Sequence, residues 1–403
     1  MKVALVHDYL NQYGGAERVL EAIADLYPGA PIYTSIYDKK LMEGKFVGHE
    51  IRTSFMRHLP GVLKRHQAYL LAYPFAFESF DLREFDLVIS SSSAWAKGVV
   101  TRPETLHICY CHAPMRFAWD VTDYTKRENM GKLAKVGLPI IMGYVRLWDI
   151  NSSARPNRYV ANSKTIAGRI KEFWGLDSVV INPPVEVSEI PYRSGPREDF
   201  YLTTARLVPY KRIDIAVKAF KELNLPLKVV GTGRDLENLK KMAGPKTEIL
   251  GYMPDKELRE LFGRCKAFIQ TGAEDFGITQ VEAMAGGAPV IAINQNGPAE
   301  VNIEGKTGVL FDEQTPASLI EAVKRFEATS RQYDSDFIRR YAESFDRKIF
   351  TRRFDDFVRE CYAEFKASQK SQATGWAIEQ SGEKTVIEEG LTHWSTPTMR
   401  TKP

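Results

Sequence analysis

Two carboxylates stand eight residues apart in "TGAEDFGITQVEAMAGGAPVIA", Glu274 before a glycine turn and Glu282 inside an apolar run. A carboxylate amid Ile278, Val281, Ala283 and Met284 is costly to bury unless it is paired or hydrogen-bonded. The run after Gly277 reads as a short helix stopped by Gly286-Gly287, and "APVIAI" reads as a buried strand. A helix N-terminus behind a turn offers free N–H groups and about +0.5 of a charge, which suits a phosphate. The plainer alternative is a helix whose Glu282 reaches solvent.

Other stretches carry compatible chemistry. In "TTARLVPYKRID", Arg206 lies just past a strand and Lys211 near the next helix start. Two such cations can hold a diphosphate and neutralise it as it leaves. A lysine at a helix N-terminus opposes the macrodipole, so structure alone does not ask for it. In "CYCHAPMRFAWD", His112 follows a strand, placed to hydrogen-bond a sugar hydroxyl, to stabilise developing charge, or merely to fix its own loop. Arg116, Trp119 and Asp120 are compatible with sugar binding and equally with an ordinary helix start. Gly14 and Gly15, in "HDYLNQYGGAERVLEAIA", let backbone approach a ligand closely. The stretch lacks G-x-G-x-x-G spacing, which argues against a dinucleotide fingerprint. "VVGTGRD" is a second strand-glycine-helix turn around Gly231, and Gly251, Tyr252 and Met253 end a strand against which a planar base can lie.

The elements that must position these residues alternate. "KVALVHD", "FDLVIS", "TLHICYC" and "RYVANS" are predicted strands in the first half; "FYLTTAR", "LKVVG", "AFIQT" and "APVIAI" follow in the second. Between them lie amphipathic segments such as Ala16–Leu26, Lys164–Phe173, Ile213–Leu223 and Asp255–Phe262. Such alternation predicts an α/β protein with parallel sheets wrapped by helices. Prolines gather in "INPPVEVSEIPYRSGPRED", dividing residues 1–184 from 185–345. One amphipathic helix is expected over 346–366, crossing back to the first domain, and a disordered tail over 367–403. Ligands of open α/β sheets bind at the carboxyl ends of strands, where all the motifs fall.

Composition narrows the class. The chain has 403 residues, enough for two domains, and a formal charge of +4, too small to argue for nucleic acid. Its four cysteines show no metal-ligand spacing; Cys109 and Cys111, two apart in a strand, are expected to face opposite sides. A reduced, cytoplasmic protein is the expectation. "MKVALVHDYL" is too short an apolar run for a signal peptide, and no window approaches a membrane span.

Taken together, the chain resembles the family 4 retaining glycosyltransferases of GT-B fold, from Met1 to about Phe365. Glu274 and Glu282 match that family's E-x7-E motif, and the glycine pair, His112, Arg206/Lys211 and "GTG" occur in family order. "VHDYL", "SSSAWAKGV", "CHAPMRFAWD" and "ANSKTIAGRI" are similar to bacterial mannosyltransferases that build cell-surface polysaccharides. The resemblance implies two Rossmann-like domains across a cleft, with Glu282 accepting from ribose hydroxyls and Glu274 binding the transferred sugar. Backbone N–H groups at Phe276, Gly277 and Ile278 would assist Glu274. Arg206 and Lys211 would hold the diphosphate, Gly15 would close over its distal phosphate, and His112 would contact the sugar. It implies no cofactor and no metal, a nucleotide-sugar donor (GDP-mannose favoured), and a saccharide acceptor, polyprenyl-linked in one version. Tyr210 and Arg234 depart from residues frequent in relatives without removing a matched ligand.

Basic-aromatic segments Thr53–Phe77 and Lys132–Asp149 suit either an anionic membrane surface or ordinary core helices. In the second, Lys132, Lys135 and Arg146 would face lipid headgroups, with Leu138, Ile140 and Ile141 at the interface. The location expected is the cytoplasm, with membrane contact at its inner face as the extension. Alternatives are a sugar-nucleotide epimerase of the same architecture, a UDP- or ADP-sugar transferase, or a nucleotide-sugar-binding protein without turnover.

Overall fold

The computed structural model describes residues 1–119 and 132–390, with side chains over 1–119 and 139–371. Met1–Asp355 forms one compact unit that holds two parallel sheets. The first sheet contains β1 (Val3–His7), β2 (Ile32–Thr34), β3 (Ile51–Thr53), β4 (Leu87–Ser92), β5 (Leu106–Cys111), β6 (Arg158–Ala161) and β7 (Val179–Val180). Its order is β3-β2-β1-β4-β5-β6-β7. The second contains β8 (Tyr201–Thr204), β9 (Leu227–Val230), β10 (Thr247–Gly251), β11 (Ala267–Gln270), β12 (Val290–Ile293) and β13 (Gly308–Phe311), in the order β10-β9-β8-β11-β12-β13.

Both sheets therefore follow one rule. The chain builds outward from the first strand in one direction, returns, and builds outward in the other. Each sheet has a switch point, between β1 and β4 and between β8 and β11, where loops diverge and leave a crevice. Most strands are buried on both faces, as near-continuous runs such as "VIAI" require of a parallel sheet covered by helices; the edge strands β3, β7 and β10 are the more exposed ones.

The helices form where the 3.6-residue period places apolar groups inward. In Ile213–Leu223, Ile213, Ile215, Ala216, Val217, Ala219 and Phe220 are buried against the second sheet. Ser163 caps Lys164–Trp174 through a 3.2 Å bond from Ile166 N, and Gly175 ends it with a φ of 72°. Cys109 and Cys111 share one buried cluster with Tyr159, Ala161 and Ile166, contrary to expectation. Residues two apart on a strand point to the same face, so both thiols enter one cluster. Both remain free thiols.

Two buried acidic residues brace the first domain. Asp8, directly after β1, accepts four backbone N–H bonds from Ser93, Ala94, Trp95 and Ala96, at 2.6–3.1 Å. It thereby ties β1 to the loop leaving β4 at the switch point. Asp149 receives Lys97 Nζ at 2.6 Å and the indole N–H groups of Trp119 and Trp174, each at 2.9 Å.

The last helix runs Arg347–Gly390, well past residue 366. Phe350 and Phe354 pack edge-on against Tyr110 of β5, returning the chain to the first sheet. The expected tail from 367 is helical to Gly390 because Ala, Gln, Glu and Lys propagate a helix and no proline intervenes before Pro397. Residues 391–403, the end of that expected tail, lie outside the described residues.

Candidate active site

A cavity of ≈ 310 Å³ opens where the two switch points face each other. From the first domain it is lined by Gly15, Ala16, Val19, His112, Arg116, Asn162 and Pro183. Tyr210, Lys211 and the run Glu274–Thr279 line it from the second. Two helices, Gly15–Ala24 and Ile278–Ala285, begin at its wall. Their unbonded N–H groups and the Lys211 ammonium give one small space three sources of positive potential.

Local backbone chemistry explains the close approach. A Cβ on Gly15 would stand 2.9 Å from Ile278 Cδ1 of the opposite domain, so a larger residue there would push the Ile278 side chain aside where the two helix starts meet. Gly277 adopts a φ of 87°, turning the chain sharply into its helix. Gln280 Nε2 fixes that turn by donating to Phe276 O at 2.7 Å, and Asn302 Nδ2 holds Gln280 in turn.

Lys211 Nζ lies 2.8 Å from Glu274 Oε1, which also accepts from Gln270 Nε2 at 3.2 Å. Burial pushes the Glu274 carboxyl up, but Lys211, Gln270 and Arg116 outweigh it and hold the group below its ordinary value. Glu274 is thus an ionised acceptor. His112 is its opposite: burial, then His7, lower its pKa to about 3, so the ring is neutral. Its Nε2 lies 2.7 Å from Ser91 Oγ.

Some expected residues stand elsewhere. Arg206 is exposed and absent from the cavity wall; it donates to Gln12 Oε1 at 3.2 Å and to Tyr210 Oη at 3.0 Å. Gly14 caps the first helix just behind Gly15. Gly231 follows β9, one strand out from β8, Gly251, Tyr252 and Met253 end β10, two strands out, and none of them lines this cavity. A Cβ on Gly231 would strike Ala205 O at 1.9 Å, so that glycine serves packing of the loop after β8. Glu282 also lies outside the wall, and the opening puzzle of its burial has an answer. Arg18 Nη1, from the first domain, reaches Glu282 Oε1 at 2.7 Å, while Arg18 Nη2 reaches Asp255 at 3.3 Å.

Sequence reasoning missed Arg18, Asn162 and Asp275. Asp275 accepts from Arg116 and, at 3.1 Å, from Arg169, a second bridge between the domains. Asn162 stands directly after β6, a strand-end position whose signal was available. Asp120 lies outside the described residues. A larger open depression of ≈ 650 Å³ is lined by Tyr33, Arg52, Asp81, Arg83 and Glu84. Its charges pair among themselves, Arg83 with Asp81 and Arg52 with Glu84, and no motif reaches it.

Residues 189–343 match the family model described as glycosyl transferases group 1. Over 217 residues the chain is 28% identical to a phosphatidyl-myo-inositol mannosyltransferase of Propionibacterium freudenreichii, covering 48% of this chain and 53% of that protein. Over 131 residues it is 33% identical to a GDP-mannose-dependent alpha-mannosyltransferase of Mycolicibacterium smegmatis, covering 32% and 34%. The chain spans about half the length of the first curated relatives it matches. The solved structure of HepE from Anabaena in complex with UDP superposes with a TM-score of 0.67 at 17% identity, covering 89% of this chain and all of that one. The architecture is GT-B, and the segment that matches the group 1 model supplies Lys211, Glu274 and the Ile278–Ala285 helix start to its cleft.

Proposed function

We propose that the chain is a retaining glycosyltransferase that moves a hexose, mannose favoured, from a nucleotide sugar to a saccharide or lipid-linked saccharide. The observation that carries this reading is the meeting of Lys211 with two helix N-termini in one cavity beside an ionised Glu274. A diphosphate sits there against fixed positive potential, and the sugar faces a carboxylate and a neutral imidazole. Mannose and a GDP donor are favoured because curated relatives carrying those names align with this chain.

The chemistry follows from charge. The bond from the anomeric carbon to the phosphate oxygen breaks, and negative charge grows on the diphosphate. Lys211 and the helix N–H groups stabilise that charge without moving. The acceptor oxygen bonds the anomeric carbon from the same face, and its proton passes to the departing phosphate. Glu274 stays ionised and accepts sugar hydroxyls, so no protein nucleophile is assigned. Glu282 offers Oε2 to ribose hydroxyls while Arg18 holds Oε1.

The test is a donor screen with a saccharide acceptor. GDP-mannose is expected to support faster product formation than UDP-glucose or an ADP-sugar, with the new linkage keeping the donor's anomeric configuration by NMR. Inversion would sink the mechanism, faster UDP-glucose turnover the donor, and an epimerised donor without transfer the reaction class.

Peripheral membrane contact belongs to the same proposal. Ile140, Tyr144, Leu147 and Ile150 are exposed along one face of the helix Lys132–Ser153. Arg146 instead turns inward to Ala118 O at 2.9 Å, and Ile141 packs on the core, so neither is the lipid contact expected of it. The side chains of Lys132, Lys135 and Leu138 lie outside those described. No helix among the described residues is long and apolar enough to cross a membrane. Replacing Ile140 and Leu147 by serine is expected to reduce co-sedimentation with anionic vesicles; unchanged binding would discard the stripe as a lipid contact.

A further inference from the structure

A continuous row of buried polar side chains runs beneath the cavity, and the reaction above uses only its last member. Glu17 Oε1 faces His7 Nε2 at 3.6 Å, His7 Nδ1 lies 3.1 Å from Ser91 Oγ, and Ser91 Oγ lies 2.7 Å from His112 Nε2. All four are buried: Glu17 1%, His7 2%, Ser91 0% and His112 9% exposed. The fold lines them up, because His7 and Ser91 are register partners on β1 and β4 and His112 follows β5. Glu17 belongs to the helix behind the glycine pair, and its Oε2 accepts Gly14 N at 2.8 Å.

Proton counting gives this row a direction. A carboxylate only accepts. Burial pushes the Glu17 carboxyl up, but His7 and backbone N–H groups outweigh it and hold it below the ordinary carboxylate value. A neutral His7 has one N–H, and placing it on Nε2, which faces this anion at 3.6 Å, leaves Nδ1 bare. Bare Nδ1 accepts the Ser91 hydroxyl hydrogen, and the Ser91 oxygen then accepts from His112 Nε2–H. A neutral imidazole has one N–H, so His112 Nδ1 is left as a lone pair. Among the described residues Nδ1 has no partner, while His112 lines the cavity.

We propose that Glu17 and His7 are positioning residues that, acting through Ser91, set His112 as a hydrogen-bond acceptor for a hydroxyl of the bound sugar. The proposal rests on the nucleotide-sugar reading for its ligand but not for its tautomer. Reversing the row would turn His112 into a donor, which a sugar hydroxyl would meet with a lone pair while its own hydrogen stayed free for another acceptor such as Glu274. One row thus serves two ends of the site: Glu17 braces the glycine loop with one oxygen and orients the imidazole with the other.

Long-range proton–nitrogen NMR of the histidine rings tests this on the full chain without ligand. Seven histidines are present, and a His112→Asn spectrum assigns the signal of interest. The expected result is a bare Nδ1 in the wild type, shifting toward Nδ1–H in Glu17→Gln, whose amide can donate to His7. Should Glu17→Gln not fold, Ser91→Ala breaks the same row and should yield mixed tautomers. A protonated Nδ1 in the wild type, or a tautomer unchanged in the folded variants, overturns the row's role. Ser91→Ala is further expected to weaken GDP-mannose binding about tenfold while leaving GDP binding unchanged, the signature of one lost hydrogen bond to the sugar. Equal affinity of wild type and Ser91→Ala for GDP-mannose overturns the sugar contact. If the wild type binds neither GDP nor GDP-mannose, the donor reading falls with the contact, and the ligand-free spectrum still judges the tautomer.

Discussion

Lys211→Ala is expected to lower turnover about 10²–10³-fold, with no rescue by divalent metal and no further loss in chelator. The ammonium lies inside the cavity wall, 2.8 Å from Glu274, beside two helix starts. Removing it deletes one of the two cations of that wall, Arg116 being the other, and also leaves the half-buried Glu274 carboxylate without its lysine partner. The freed Glu274 would then repel the diphosphate, so Lys211→Ala should be more damaging than Lys211→Ala combined with Glu274→Gln in donor binding. Arg206→Ala is expected to cost less, about tenfold, because an exposed cation at the rim is screened by solvent. The pair also has a pH signature. The pKa of Glu274 is depressed in the folded protein, so its stabilising contribution is full above the ordinary carboxylate range and disappears as pH falls through the depressed value. Steady-state rates across the three variants check the ranking. A Lys211→Ala enzyme within a few-fold of wild type would remove the leaving-group role.

How far the site was legible in the sequence follows from what spacing can encode. Strand-end positions are legible, since an apolar run followed by glycine, histidine or a cation marks the carboxyl edge of a parallel sheet. Gly15, His112, Lys211, Glu274 and the turn Phe276–Ile278 all reach the cavity from such edges. Which residues meet across the cleft is not legible, because it depends on how the two sheets face each other. Arg18 and Glu282, and Arg116 and Asp275, are far apart in sequence, and no local period links them. Gly231, Gly251, Tyr252 and Met253 carried the same strand-end signal but belong to β9 and β10, farther from the switch point. Sheet order, absent from any one segment, decides that.

The fold shows the same division. The longer apolar strands were readable, whereas β2 and β3 have three residues each and β7 two, too few to display any period. The last helix was underestimated for another reason. Its sequence beyond 366 is largely polar, with Trp376, Ile378, Val386 and Ile387 scattered off any helical period, and a helix without an apolar stripe looks like coil when burial is the criterion.

Asp149→Ala is expected to destabilise the chain by about 3–5 kcal/mol, because it strands the Lys97 ammonium in the interior. Lys97 is 1% exposed and Asp149 0%, and the pair closes at 2.6 Å. Lys97 Nζ has one further acceptor, Ala94 O at 3.0 Å, and lies 5.1 Å from the ring centroids of both Trp148 and Trp174. Asp149 Oδ2 meanwhile serves two indole N–H groups, so a single carboxylate joins four segments of the first domain. Trp119, one of the two, stacks on Phe173 at 4.5 Å and closes the short helix Arg116–Trp119 that brings Arg116 to the cavity. Loss of Asp149 should therefore loosen the cavity wall as well as lower stability. Lys97→Met with Asp149→Leu is expected to cost less than Asp149→Ala alone, since no charge is then left without a partner, although both indoles still lack an acceptor. Urea unfolding of the two variants decides it. A single variant within about 1 kcal/mol of wild type, well below the cost of an unpaired buried charge, would mean that solvent reaches Lys97 after all.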